Sequence, residues 1–152
     1  MRLTRYSDYS LRVLMYLALA GDRFATIREI AERHDISRNH LMKVVYDLGQ
    51  AGYIHTVRGK NGGIQLRRDP RHINVGEVLR GTEQEPALVE CFGADNQCVV
   101  TPACRLRHVL EDALEAFFAE LDRYTLADLL QNGARMSTLL GLAVVVENRP
   151  PA

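Results

Sequence analysis

The chain has 152 residues, of which 25% are charged and 47% hydrophobic, with 19 basic and 19 acidic side chains and no formal net charge. That length can bury roughly two-thirds of the unfolded surface, enough for one core or for a small domain with an appendage. The opening MRLTRYSDYS lacks an apolar signal core, and the longest apolar stretch, Leu139 to Val146, is far short of the roughly 20 residues that span a bilayer. The expectation is a cytoplasmic chain with no membrane partner.

Zero net charge conceals an asymmetry. Residues 1–72 carry 13 Lys and Arg against 7 Asp and Glu, a formal +6, while residues 73–152 carry 6 against 12, a formal −6. A basic half joined to an acidic half points to a polyanionic partner for the first half only.

Apolar residues from Tyr6 to Leu19 recur at helical spacing, predicting a first helix over Thr4 to Ala20, closed by Gly21-Asp22. Thr26, with Glu29 three positions on, reads as a capping box opening the short helix IREIAERH. Asp35-Ile36 makes a tight turn, and Ser37 is a good N-cap for a third helix, RNHLMKVVYDLGQAG, with Leu41, Val44, Val45 and Leu48 as its apolar face and Gly52 as its stop. Two helices joined by a brief turn form the helix-turn-helix pattern.

Tyr53 to Val57 and Ile64 to Leu66 then flank RGKNGG, where Asn61-Gly62 is a two-residue hairpin signal. A hairpin with a glycine-rich basic tip after the third helix is a wing. A short helix is expected near Asn74, then a loop over residues 82–103. Thr101-Pro102 should open a long helix running from about Ala103 to Asp122, its broad apolar stripe including Leu106, Val109, Leu110, Leu114, Phe117 and Phe118. Such a stripe needs a partner, and a reader of two half-sites gains from two-fold symmetry, so a homodimer is expected. A short helix over 125–130 and a flexible tail over 132–152 complete the pattern; the apolar run LLGLAVVV in that tail has no role in it. The fold class is mainly α with a small β-hairpin wing. The expected units are a winged helix-turn-helix over 1–72 and a loop plus dimerisation helix over 73–131.

All three cysteines, Cys91, Cys98 and Cys104, fall within fourteen residues, separated by six and then five positions. In a reducing compartment, clustered thiols are more often metal ligands or redox groups than a disulfide framework. The spacings are too long for the paired thiols of a zinc ribbon and suit a loop wrapped around something larger than one ion. An odd number of thiolates leaves one coordination position to another residue type. A thiol switch stays open as an alternative. No nucleophile–base pairing, phosphate-binding glycine loop or cofactor fingerprint is present, so an enzyme is not expected.

For DNA, Ser37, Arg38, Asn39, His40 and Lys43 avoid the apolar face of the third helix and are free to enter a major groove. Asn39 could pair with adenine, Arg38 or Lys43 with guanine, and His40 with a phosphate. Arg58, Lys60 and Asn61 form the wing tip, whose glycines allow close approach to phosphates.

The order of these parts, with MRLTRYSDYSLR, ISRNHLMKVV, VRGKNGGIQL, CVVTPACRL and LDRYTLADLL, resembles the NsrR/IscR family of winged-helix iron–sulfur regulators over residues 1 to about 131. Within it the nitric-oxide-sensing, NsrR-type branch is most similar. The resemblance implies that Cys91, Cys98 and Cys104 hold an iron–sulfur cluster, 4Fe–4S by preference with 2Fe–2S open, whose state sets affinity for operator DNA. In that branch the intact cluster represses and nitric oxide destroys it. The six residues between Cys91 and Cys98 exceed the five or fewer more usual in the family. By resemblance the fourth ligand is Asp8 from the N-terminal helix of a partner subunit. IscR-like members use a histidine three residues past the last cysteine; here that position is Arg107, with His108 one further on as the alternative. Arg58 matches the family's minor-groove arginine. The competing readings are an IscR-type iron–sulfur-status or redox regulator and a clusterless thiol or small-ligand regulator of the same fold.

Overall fold

The computed structural model describes residues 2–83 and 88–143. It runs α1 (Arg5–Ala20), α2 (Ile27–His34), α3 (Arg38–Gln50), β1 (Ile54–Val57), β2 (Gly63–Leu66), α4 (Val75–Thr82), α5 (Arg105–Leu121) and α6 (Gly133–Leu139). The fold is mostly helical with one two-stranded antiparallel hairpin.

α1 is the central strut. Thr4 caps it by accepting from the Ser7 amide at 3.2 Å. Val13, Leu14, Tyr16 and Leu17 are fully buried against α2, α3 and the hairpin. Ser10 is buried with them, its hydroxyl donating to the Tyr6 carbonyl at 2.8 Å, which satisfies it inside the core.

Thr26 caps α2 through the Glu29 amide at 3.1 Å. The capping box is only half formed, because the Glu29 carboxylate turns to stronger donors. It accepts from Arg23 at 2.7 Å and from the Tyr16 hydroxyl at 2.6 Å. The Arg23 guanidinium holds Glu29 below the usual carboxylate range, and burial with the Glu29 bond pushes the Tyr16 hydroxyl up to about 12. Asp35 then ends α2 in the left-handed conformation at φ 53°. Ser37 occupies the N-cap position of α3 but makes no side-chain capping bond. The turn into α3 is held by buried Ile36 and Leu41 instead.

The hairpin pairs Ile54 with Leu66 through Val57 with Gly63, leaving five residues, 58–62, in the loop. The two-residue turn expected at Asn61-Gly62 gives way because Gly63 also closes against the α1–α2 connection. Ile64 and Ala25 exchange bonds of 2.7 and 3.0 Å, and a Cβ on Gly63 would lie 2.5 Å from the Ala25 carbonyl oxygen. The turn is made at Gly59, φ 117°, whose carbonyl accepts from the Gly62 amide.

A second, smaller core joins α4 to α5. Val75 and Leu79 bury Phe118, and Leu11 of α1 with Leu129 packs against both cores. Arg80 clasps Asp122 with bonds of 2.5 and 2.7 Å and covers the Phe118 ring at 4.8 Å. Glu83, at the end of α4, accepts from the Thr4 amide at 2.8 Å, tying the start of α1 to the segment that leads toward the cysteines.

Three expectations are corrected here. Pro102 opens a single 3-10 turn, Thr101–Ala103, rather than the long helix; Cys104 breaks the run with extended backbone and α5 starts at Arg105. Residues 125–130 form a turn and the 3-10 segment Asp128–Leu130, because Thr125 bridges to Asn74 and donates its amide and hydroxyl to the Asp128 carboxylate. The expected flexible tail contains α6, with Leu140 packed against the main core and Leu142 buried in it. The apolar run thus gains a partner in its first half; residues 144–152 lie outside the described residues.

Candidate metal centre and nucleic-acid interface

Ser37, Arg38, Asn39, His40 and Lys43 are all exposed along α3, and Arg58, Lys60 and Asn61 are exposed in the hairpin loop. α3 is set on α1 by the Tyr6 hydroxyl, which donates to Asp47 at 2.7 Å. Burial and that bond raise the Tyr6 hydroxyl well above its ordinary range, so it stays a proton donor. The Lys43 ammonium lies 5.8 Å from the Tyr6 ring centre, and the His40 ring 6.2 Å from that of Tyr9. Arg5, Tyr6 and Tyr9 on α1 face Asn39, His40 and Lys43 on α3 across a groove of about 330 Å³.

Sequence reasoning passed over two side chains of this helix. Met42 is 56% and Tyr46 65% exposed, one turn apart, and Gln50 donates to the Tyr46 hydroxyl at 3.1 Å. Their signal was available: Asn39, Lys43 and Tyr46 follow helical spacing on one face, where Met42 and Tyr46 break the polar pattern.

The cysteines occupy a loop of short turns. Cys91 lies in the 3-10 segment Glu90–Phe92, Cys98 is exposed, and Cys104 immediately precedes α5. All three are free thiols. The loop's bonds are local: Asn96 donates to Thr101 at 2.9 Å, Thr101 to the Cys98 carbonyl at 2.8 Å, and the Gln97 amide to Glu90 at 3.0 Å. Among the described residues, no three His, Cys, Asp or Glu side chains group closely enough to hold a metal ion. The thiols therefore share a loop without converging on a preformed single-ion site. As a donor set, three unpaired soft sulfurs fit an iron–sulfur cluster.

Asp8 lies in the first turn of α1, half-exposed, paired with Arg12 at 2.9 Å. Nearby, the His34 Nε2 is buried with no hydrogen-bond partner among the described residues. Burial, and then the Arg12 charge, push its imidazole below the usual range, with Asp8 opposing. His108 is 74% exposed on α5 and pairs with Glu111 at 3.3 Å, directed to its own helix.

The sequence profile of the Rrf2 family, described as an iron-dependent transcriptional regulator, matches residues 3–132. The chain belongs to the Rrf2 family. The HTH-type transcriptional regulator NsrR of Bacillus subtilis (strain 168) is 54% identical over 92% of this chain and 97% of its own. The protein of the same name from Geobacillus kaustophilus (strain HTA426) is 53% identical over 92% and 97%. Among solved structures, T. potens IscR matches with a TM-score of 0.69 at 27% identity over 90% of each chain. CymR, the global cysteine regulator of B. subtilis, matches at 0.65 and 26% identity over 87% of this chain and 98% of that one. This Rrf2 chain is thus a transcriptional regulator, a non-enzymatic role that takes DNA as its partner. Among the described residues no helix is long and apolar enough to cross a membrane.

Proposed function

We propose that the chain is a homodimeric repressor that releases promoter DNA on exposure to nitric oxide, sensed through a 4Fe–4S cluster on Cys91, Cys98 and Cys104. The observation that carries this reading is three free thiols in one locally bonded loop, in a chain about half identical to regulators named NsrR. Asp8 of the partner subunit supplies the fourth ligand. When bound, the cluster supplies iron that a small diatomic molecule can attack.

The chain's own residues would do the rest. The three thiolates are soft and hold iron firmly, whereas a carboxylate is a harder, more labile ligand. Asp8 has a second partner within reach, since Arg12 already pairs with it at 2.9 Å. A change in what Asp8 pairs with would alter what holds α1, and the Tyr6–Asp47 bond would carry α1 movement into α3. Arg38, Asn39 and Lys43 then contact the major groove and His40 the backbone, with Ser37 at the helix start, while Arg58, Lys60 and Asn61 contact the minor groove and backbone. The apolar stripe of α5, with Leu106 63% and Val109 52% exposed, supplies the surface for the second subunit. To empty a nearly saturated operator, the two states must differ in DNA affinity by several kcal/mol.

The test is DNA binding titrated with nitric oxide under anaerobic conditions, beside an iron and sulfide count. The expected result is loss of affinity in step with bleaching. Bleaching at unchanged affinity, or equal affinity of the cluster-free protein, would overturn the reading.

A further inference from the structure

The recognition helix and the wing leave the α1 wall of one largely apolar, aromatic groove in the reading head without a role. The groove lies between the first turn of α1 and the start of α3, with Arg5, Tyr6 and Tyr9 on one wall and Asn39, His40 and Lys43 on the other. Arg5 is exposed and makes no ion pair among the described residues. Its guanidinium belongs to the half of the chain that carries the formal +6. The groove continues the exposed row of α3 without a break, since Asn39, His40 and Lys43 belong to both.

Building on the DNA-binding reading, we infer that this groove seats one strand of the DNA backbone, with Arg5 holding a phosphate and the Tyr9–His40 pair forming a floor for the adjoining deoxyribose. Charge and shape together select this occupant. Cations stand on both walls, Arg5 on α1 and Lys43 on α3, as a phosphate between them requires. The aromatic floor, with Tyr9 and His40 ring centres 6.2 Å apart, offers apolar contact to a sugar. Lys43 is steadied over the Tyr6 ring at 5.8 Å, so one side chain of each wall is already placed.

The position adds a consequence for regulation. Arg5 and Tyr9 lie one turn apart on α1, and Asp8 lies in that same turn on a neighbouring face. A shift of this turn therefore moves the phosphate contact together with the candidate cluster ligand. DNA release then needs no change inside α3 itself.

The experiment uses full-length, cluster-loaded protein and a duplex enriched from a random pool by the unaltered protein, with affinity measured across a salt series. Arg5→Ala should weaken binding on the order of tenfold and reduce the magnitude of the salt slope by about 1, on that duplex and on random duplex alike. Arg5→Lys should keep the slope, and Tyr9→Ala should weaken binding while leaving the slope in place. Cluster absorbance and thermal midpoint serve as readouts that a merely structural role of Arg5 would move. An unchanged slope in Arg5→Ala with wild-type affinity, as expected if the groove held a small effector or a second copy, would overturn the inference. So would equal slope loss in Arg5→Lys and Arg5→Ala. If the unaltered protein enriches no duplex and shows no salt dependence, the DNA-binding reading itself fails, a distinguishable result.

Discussion

Asp8 and Arg12 stand one turn apart on α1 with carboxylate oxygen and guanidinium nitrogen 2.9 Å apart, both side chains less than half exposed. A carboxylate so held has a resting partner on its own helix and can exchange it for another. Asp8→Ala should leave a cluster bound by the three thiolates but altered in absorbance and in stability toward air. His108→Ala should change little, because that ring is directed toward Glu111 at 3.3 Å. The reverse ranking in the anaerobic spectra would transfer the fourth position to His108 and favour the iron-status reading. Arg12→Ala should cost only about 0.3–0.5 kcal/mol of fold stability, as for exposed pairs at this helical spacing.

The thiols make a stricter prediction. Replacing Cys91, Cys98 or Cys104 singly by Ser should abolish stable iron and sulfide incorporation while leaving the far-ultraviolet dichroism unchanged, since none of the three lies in either apolar core. A variant retaining a full iron and sulfide count would remove that cysteine from the donor set.

At the wing, Arg58→Ala should cost on the order of 1–3 kcal/mol on the selected duplex. The comparison with random duplex is informative. A smaller loss there indicates reading of groove shape, and an equal loss reduces Arg58 to a phosphate contact.

His34 gives the cluster-free protein a pH dependence. Its folded pKa lies below the ordinary 6.5 because of burial and Arg12. The unfolded chain therefore binds the proton more readily, so the contribution is full above about pH 6.5 and is lost as pH falls through the folded value. The urea midpoint should drop as pH is lowered from about 7.5 toward 5.5, and His34→Gln should flatten that drop. Glu29, held low by Arg23, adds a separate loss that begins only near its ordinary value of 4.5. A midpoint that rises toward acid would refute the assignment.

Leu142 is 9% exposed within the main core. Leu142→Ala should destabilise the fold by about 2–4 kcal/mol. Chain termination before Gly133 should be at least as costly by chemical denaturation. A truncated chain as stable as the full one would restore the tail to a passenger.

What could be read from residues alone follows the range over which each signal acts. α1, α2 and α3 were legible because apolar residues from Tyr6 to Leu19 recur at helical spacing, Thr26 caps locally, and Leu41, Val44, Val45 and Leu48 repeat with the same period. The exposed row on α3 followed from the same periodicity. Glu29 was misassigned within its capping box because its true partners, Tyr16 and Arg23, reach it through the fold. α6 was missed for a like reason, since its two ends lie against the first helices, Gly133 beside Leu19 and Gly141 beside Arg33. The Arg5 wall of the groove required knowing that the first turn of α1 lies beside α3, which no local pattern encodes.

Leu11 and Leu129 each touch both apolar cores. Heat should therefore find one cooperative transition in this molecule, with calorimetric and van't Hoff enthalpies in agreement. Neither core can melt while the other stays intact without uncovering one side of those two leucines. Departure from DNA by partial unfolding of the reading head is thus disfavoured, and the head must leave as a solid piece, swung by its connections.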